Sequence, residues 1–407
     1  MRTAVWGCGR KLKEIMESFV GLLDCVDFLI DSRADSFMGR EVSRPDILSG
    51  IEDCQVVICV YSQRQREEIL EMITSEFKVS PMNVITENQW LIEVLSTHEN
   101  VFIRPTSVCL EASTLCQLNC VSCGMRLDNY GNLGAGYLKF FDFKHFIDNN
   151  SYIKNIELSN YVEVFLNPEL KEIIHYAGIK GIQLTMDSGV NFNDVDDEVI
   201  EEMIKSGAVH SMLVSIDGAS QEVYQKYRRN GNLYQVLENI KKLNAAKKKF
   251  GSKYPILRWQ YVLFEHNENE VGRAKELAAS LGMDIAFKLD WTRKEWVPKD
   301  RNKLEELTGM KQFNRIEYEK STGNPYLVNS ICRRMIFQPQ INYDGRLLGC
   351  CTVRHSDWQQ NVFEAGLLPA INSKGYKDAI LVLLGKEELQ REDTPCAKCA
   401  HKGSIVL

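Results

Sequence analysis

The sequence has no run of about 18 consecutive apolar residues, the length a membrane-crossing helix requires, so no such helix is expected. Its opening stretch, MRTAVWGCGRK, puts charge and glycine where a secretory signal would be apolar. A cytoplasmic protein is expected. Basic excess is lacking too: 49 Lys and Arg against 55 Asp and Glu give a formal net charge of -6. The cations are dispersed except in AAKKKFGSK, which reads as a solvated helix end, so neither nucleic acid nor membrane is expected as a partner. What is present is globular: 407 residues, 44% hydrophobic and 26% charged, enough for two or three domains with cores of their own.

Cysteine is the residue in surplus, at 13. A chain of this size in a reducing compartment has no need of disulfides, which makes metal ligation the better default. Cys8, Cys25, Cys54, Cys59 and Cys109 stand singly in apolar contexts such as CQVVICV and read as small buried hydrophobes. The others gather near residue 120 and after residue 330.

Residues 1–95 read as an α/β unit of their own. RTAVWGCGRKLKEIMESFV is a strand, a glycine turn and a helix; VDFLIDSRAD and QVVICVYSQ are further strands, the second followed by the helix RQREEILEMI. Gly7 and Gly9 place backbone N–H groups at a helix N-terminus, and Asp31 stands at the separation from which a carboxylate reaches a ribose. Leu12 takes the place of the third glycine of that fingerprint. Two readings stay open for this Rossmann-like domain: nucleotide binding, or a role in docking or substrate recognition.

From residue 105 to 300 the alternation starts afresh. TSVCLEAS, IKNIELSN, GIQLTMDSG, HSMLVSIDG, RWQYVLFEHN and MDIAFKLDW are six apolar strands with amphipathic helices between them, the pattern of a partial (β/α)6 TIM-type barrel. Chemistry in such barrels collects on loops at the C-terminal ends of strands. CQLNCVSC, with Cys116, Cys120 and Cys123, follows the first strand and lies at that face. Three thiolates suit a [4Fe-4S] cube with one iron left open, whereas structural zinc would want a fourth protein ligand nearby.

This triad, in this place, resembles the hallmark of the radical S-adenosylmethionine superfamily, and the resemblance spans roughly residues 105–400. It implies that the open iron takes the amine and carboxylate of S-adenosylmethionine. LSNYVEVFLNPEL is similar to the family's segment of two glycines, a glutamate and proline-leucine, which nominates Glu163 as the amine ligand. Asn160, Tyr161 and Val162 stand where the glycines would be. LTMDSG resembles the third-strand element, and VSIDGASQEVYQKYR resembles the fourth-strand region. By that match Ser215 and Asp217 face the ribose side and Arg228 pairs the carboxylate. Ser122 holds a position where many members carry an aromatic against the adenine. Tyr161, Asn267, Lys288 and Trp291 lie at strand ends and are candidate pocket residues; no histidine is given a role.

In the second cysteine cluster, CRRMIFQPQINYDGRLLGCC reads as a β-hairpin turned at Asp344 and Gly345, and CAKC follows near the end. Cys332, Cys350, Cys396 and Cys399 make a four-thiolate set that zinc or iron-sulfur would accept, with Cys351 a spare beside Cys350. Their order resembles the twitch domain, the shorter relative of the SPASM domain, over residues 325–407, and implies an auxiliary [4Fe-4S] cluster. The expected enzyme cleaves S-adenosylmethionine with an electron from a flavodoxin- or ferredoxin-type donor. It then abstracts hydrogen from a small polar substrate, carbohydrate-like or nucleotide-linked. Oxidation of an alcohol, with the auxiliary cluster taking the electron, is the outcome expected first; epimerisation and dehydration stay open. Alternatives are a radical peptide-modifying maturase and, in another class, a zinc-stabilised interaction protein.

Overall fold

The computed structural model describes residues 1–127, 133–290, 296–323, 326, 332–351, 358–386 and 394–396. The chain divides into two compact units: Met1–Thr106 with Asn329–Phe337 and Leu368–Leu407, and Ser107–Val328 with Gln338–Leu367. Residues 325–407, read from sequence as one domain, are thus shared between the units.

The first unit is built on a four-stranded parallel sheet of β1 (Arg2–Trp6), β2 (Phe28–Ile30), β3 (Cys54–Ile58) and β4 (Val84–Ile85), in the order β2-β1-β3-β4. Ala4, Trp6, Val56 and Ile58 bury one face, and Ile73 of the helix Gln63–Ser75 packs into it. Cys54, Cys59 and, in the second unit, Cys109 are buried as small hydrophobes; Cys8 and Cys25 are half-buried. Gly7 adopts φ +111° because an added Cβ would stand 2.5 Å from the Cys59 carbonyl oxygen. Asp31 binds that turn rather than presenting a free carboxylate. Its Oδ2 accepts from Cys8 N at 2.9 Å, and its Oδ1 accepts from Arg33 N and Ala34 N at 2.8 and 3.1 Å. Later pieces of the chain complete this unit: Tyr376 Oη donates to Met335 O at 2.8 Å, and Asn372 Nδ2 to Ile103 O at 2.8 Å.

The second unit holds six parallel strands: β5 (Ser107–Leu110), β6 (Asn155–Glu157), β7 (Gln183–Val190), β8 (Val209–Ser215), β9 (Ile256–Val262) and β10 (Asp284–Lys288). Each pairs with the next in chain order, and β11 (Gln340–Ile341) extends the sheet beside β5 with β12 (Leu347–Gly349) outermost. The hairpin turn falls at Gly345, φ +86°, as Asp-Gly predicts. Helices between the strands carry their own stop and start signals. Helix Leu233–Phe250 begins at Asn232, whose side chain accepts from Gln235 N, and ends at Gly251 in the left-handed region. Lys247, Lys248 and Lys249 fill its last turn against the helix dipole, which accounts for the basic run.

Alternation along the strands sorts side chains to two faces. Trp259 and Tyr261 point to the helices: Trp259 Nε1 donates to Ile216 O at 2.6 Å, and Tyr261 meets the Phe287 ring at 5.9 Å between centroids. The opposite face carries Asp187, Ser211, Ser215, Arg258 and Gln260, joined by the Ser211–Asp187, Gln260–Ser215 and Arg258–Asp187 contacts at 2.7, 3.1 and 2.9 Å. Gly189, at φ +121°, lets Ser215 lie flat on that face, since a Cβ there would be 2.8 Å from Ser215 Oγ.

Candidate active site: a three-thiol loop and its polar neighbours

The loop after β5 brings Cys116, Cys120 and Cys123 together in an apolar shell. Leu118, Tyr227, Val262 and Phe264 are buried around them, and Trp296 packs alongside. The loop turns tightly, with Cys123 N donating to Cys120 O at 3.4 Å, and is pinned to the neighbouring helix end by Asn119 N and Val121 N, which donate to Arg229 O and Tyr227 O at 2.9 and 3.3 Å. Burial pushes the Cys116 thiol up to about 12, and the nearby Glu163 charge adds to this. Cys120 is also raised by burial, against which the Arg228 guanidinium works. Thiols held this way stay protonated near neutral pH until a metal displaces their protons.

Glu163 reaches this loop. It is 1% exposed; its Oε2 accepts from Asn191 N at 2.6 Å and its Oε1 from Phe165 N at 3.4 Å, while its own N–H donates to Leu115 O at 3.2 Å. Burial raises its carboxyl to about 7 in spite of those donors. Asn191 closes the circuit, because its Nδ2 donates to Cys116 Sγ at 3.6 Å.

On the other side of the triad, Arg228 Nε donates to Asp217 Oδ2 at 2.6 Å and Nη1 to Cys120 Sγ at 3.7 Å. Asp217 is fully buried and its Oδ1 accepts from Val262 N at 2.7 Å. Arg228 is therefore held by a carboxylate of the chain, with its Nη1 toward Cys120. Ser122 Oγ donates to Asp290 Oδ1 at 2.9 Å and accepts from Tyr227 Oη at 3.0 Å. The rings of Tyr227, Phe264 and Trp296 pack in the same shell, the first two with centroids 4.6 Å apart.

Among the other sequence candidates, Asn267 is spent on the fold. It donates from Nδ2 to Asp217 O and Val262 O at 3.1 and 2.9 Å and accepts Phe264 N at 2.8 Å, so it holds a turn and is corrected here from pocket residue to loop brace. Lys288 ends β10 opposite Val262, its carbonyl oxygen accepts from Leu263 N at 3.1 Å, its side chain makes no hydrogen bond or ion pair among the described residues, and its pKa is lowered by burial and then by the Arg258 charge. Trp291, His355 and Cys399 lie outside the described residues. Cys350 and Cys351 follow β12 in the second unit, and Cys332 and Cys396 belong to the first. Cys396 Sγ lies 3.6 Å from Met335 Sδ.

Sequence reading missed the amide residues. Gln117 Nε2 donates to Asp194 Oδ2 at 3.0 Å, Asn191 Nδ2 to Gln117 Oε1 at 3.0 Å, and Asn193 Nδ2 to Tyr224 Oη at 3.0 Å. The signal was NFND just past β7, three residues in four with short polar side chains at a strand end.

Three soft sulfur donors on one loop, with a fourth thiol neither nearby in sequence nor in the shell, fit an iron-sulfur cube with an open iron. Among the described residues no three His, Cys, Asp or Glu side chains converge tightly enough for a single metal ion. A mononuclear zinc site, with sulfurs about 2.3 Å from one centre, needs that convergence.

A six-stranded parallel sheet with three thiols on the loop after its first strand can be compared with known proteins. Residues 110–258 match the model of the Radical SAM superfamily. Its enzymes bind a [4Fe-4S] cluster and S-adenosylmethionine. The AdoMet-dependent heme synthase of Methanosarcina barkeri (strain Fusaro / DSM 804) is 29% identical over 180 residues, 44% of this chain and 48% of that one. The chain thus spans about half the length of this curated relative. Streptococcus suis SuiB bound to S-adenosylmethionine shares the fold at a TM-score of 0.52 and 13% identity, over 83% of this chain and 82% of that chain. SuiB bound to its precursor peptide SuiA matches at 0.51 and 14%, over 77% and 73%.

Proposed function

We propose that this protein is a radical enzyme that reductively cleaves S-adenosylmethionine and abstracts hydrogen from a small polar substrate, oxidising an alcohol to a carbonyl. The observation that carries the reading is that two polar pairs flank the three-thiol loop, Glu163 with Asn191 at Cys116 and Asp217 with Arg228 at Cys120. Bound together, cluster and cofactor supply one-electron cleavage to methionine and a 5'-deoxyadenosyl radical, chemistry that belongs to them and not to the protein. The residues bind and orient. Cys116, Cys120 and Cys123 hold three irons; Glu163 takes the cofactor's ammonium; Arg228, kept straight by Asp217, offers its free N–H groups to the carboxylate. Ser215 and Asp217 border the ribose side. Tyr227, Phe264 and Trp296 exclude water and stray hydrogen donors.

The polar inner face of Asp187, Ser211, Arg258 and Gln260, with Lys288 above it, supports a small polar substrate. An auxiliary [4Fe-4S] cluster on Cys332, Cys350, Cys396 and Cys399, which the resemblance to the twitch domain implies, would accept the substrate radical's electron as its hydroxyl proton leaves to water. A flavodoxin- or ferredoxin-type donor would reduce the first cluster. The test is anaerobic incubation with S-adenosylmethionine, dithionite and candidate alcohols deuterated at the carbinol carbon. Deuterium in 5'-deoxyadenosine, with the matching ketone, is the expected result. Deoxyadenosine formed with no label transferred from any alcohol, but with label from a peptide, would replace this reading by peptide modification.

A further inference from the structure

The loop that carries Glu163 is held from an unexpected side. Asn160, Tyr161 and Val162 occupy positions where glycine would give the backbone its freedom, so something else must fix their path. Glu111, the residue after β5, does so. Its Oε1 accepts from Tyr161 N at 3.1 Å and Val162 N at 3.3 Å, and its Oε2 accepts from Tyr161 N at 3.1 Å. Two residues further, Glu163 N donates to Leu115 O. The loop is therefore tied at both ends to the five residues that run from Glu111 into the triad.

Glu111 is 1% exposed. Beside it lies Gln340, whose Nε2 donates to Glu111 Oε2 at 3.4 Å and to Ile341 O at 3.3 Å. Burial raises Glu111 to about 8, and the Glu157 carboxylate contributes to that. The Glu111 oxygens accept from the N–H groups of the loop on one side and from Gln340 Nε2 on the other.

We propose that Glu111 is a positioning residue: its buried side chain sets the Asn160–Val162 backbone so that Glu163 stands against the triad. The inference rests on the reading of Glu163 as the group that binds the cofactor's amine. It explains how a loop without glycines reaches the geometry that glycines otherwise allow. It also explains the tolerance expected of one substitution. Glutamine has the same reach and keeps an acceptor oxygen for Tyr161 N and Val162 N.

The experiment compares E111Q, E111D and E111A, each reconstituted anaerobically, by iron count, by the change in the electron paramagnetic resonance of the reduced cluster on adding S-adenosylmethionine, and by equilibrium dialysis. The expected result has E111Q within about twofold of the natural chain in affinity. E111D, one methylene short, and E111A should bind the cofactor at least tenfold more weakly, with the spectral change lost and the iron count kept, a shift of about 1.4 kcal/mol. Unchanged affinity and spectrum in E111D or E111A overturns the proposal, as does loss of both in E111Q. Should E111A fail to fold, E111D and E111Q decide alone. A natural chain that holds iron yet shows no spectral response to the cofactor defeats the functional reading instead, and the two failures are told apart by that control.

Discussion

Replacing Asp217 by asparagine removes one charge from a buried ion pair and leaves almost everything else in place. The amide oxygen still accepts from Val262 N, so the β8–β9 junction keeps its 2.7 Å hydrogen bond. What is lost is the counter-charge of Arg228, whose Nε lies 2.6 Å from Asp217 Oδ2 and whose side chain is 14% exposed. Its other buried neighbours are the Cys120 thiol and the Tyr227 ring, neither of which neutralises a guanidinium at neutral pH. Stranding a buried charge costs about 3–5 kcal/mol. For a unit of roughly 250 residues, at about 2–4 °C per kcal/mol, the melting temperature should fall by roughly 6–20 °C. Adding Arg228→Met should restore much of the loss, because the double variant buries no lone charge. Anaerobic denaturant unfolding of the two single variants and the double variant measures the coupling. A cost for Asp217→Asn below about 0.5 kcal/mol, or single costs that simply add, would refute the reasoning.

Other expectations follow from the same geometry. Glu163→Gln should weaken S-adenosylmethionine binding roughly ten- to hundredfold, the worth of a charge-assisted hydrogen bond of about 1.5–3 kcal/mol, at unchanged iron content by dialysis and metal analysis. Gly189→Ala must place a Cβ at φ +121° and 2.8 Å from Ser215 Oγ, and should cost about 1–3 kcal/mol in denaturant unfolding. Glu111 sits at about 8 in the folded chain against an ordinary 4.5, so the folded state holds its proton more tightly. Stability should therefore fall as pH rises from about 4.5 to about 8, by on the order of 5 kcal/mol at most, and Glu111→Gln should flatten that part of the profile in urea titrations.

The strands were legible because each is a short apolar run closed by turn residues, and the hairpin of β11 and β12 because Asp344-Gly345 permits few other conformations. Cys116, Cys120 and Cys123 were legible from spacing, and Glu163 from the segment around it. The role of Asn191 was not, since its approach to Cys116 depends on the register shift between Met186 and Val190 in β7, which displaces the strand end and follows from no local pattern. Asn267 misled for a related reason: a polar residue at a strand end reads the same whether it faces a ligand or braces a turn. Glu111 looked like an ordinary strand residue until the β5–β6 pairing set its carboxyl beneath the next loop. The contribution of Asn329–Phe337 and Leu368–Leu407 to the first unit is a long-range event that composition does not announce.

The central claim is that Cys116, Cys120 and Cys123 hold a cluster that cleaves S-adenosylmethionine. Its most direct test is chromatography for 5'-deoxyadenosine after anaerobic reconstitution with iron and sulfide and addition of dithionite and S-adenosylmethionine, with iron counted per chain. The account predicts about eight irons, two cubes of four, and deoxyadenosine that disappears in Cys120→Ala. Zinc in place of iron, or deoxyadenosine that survives the loss of Cys120, would contradict it.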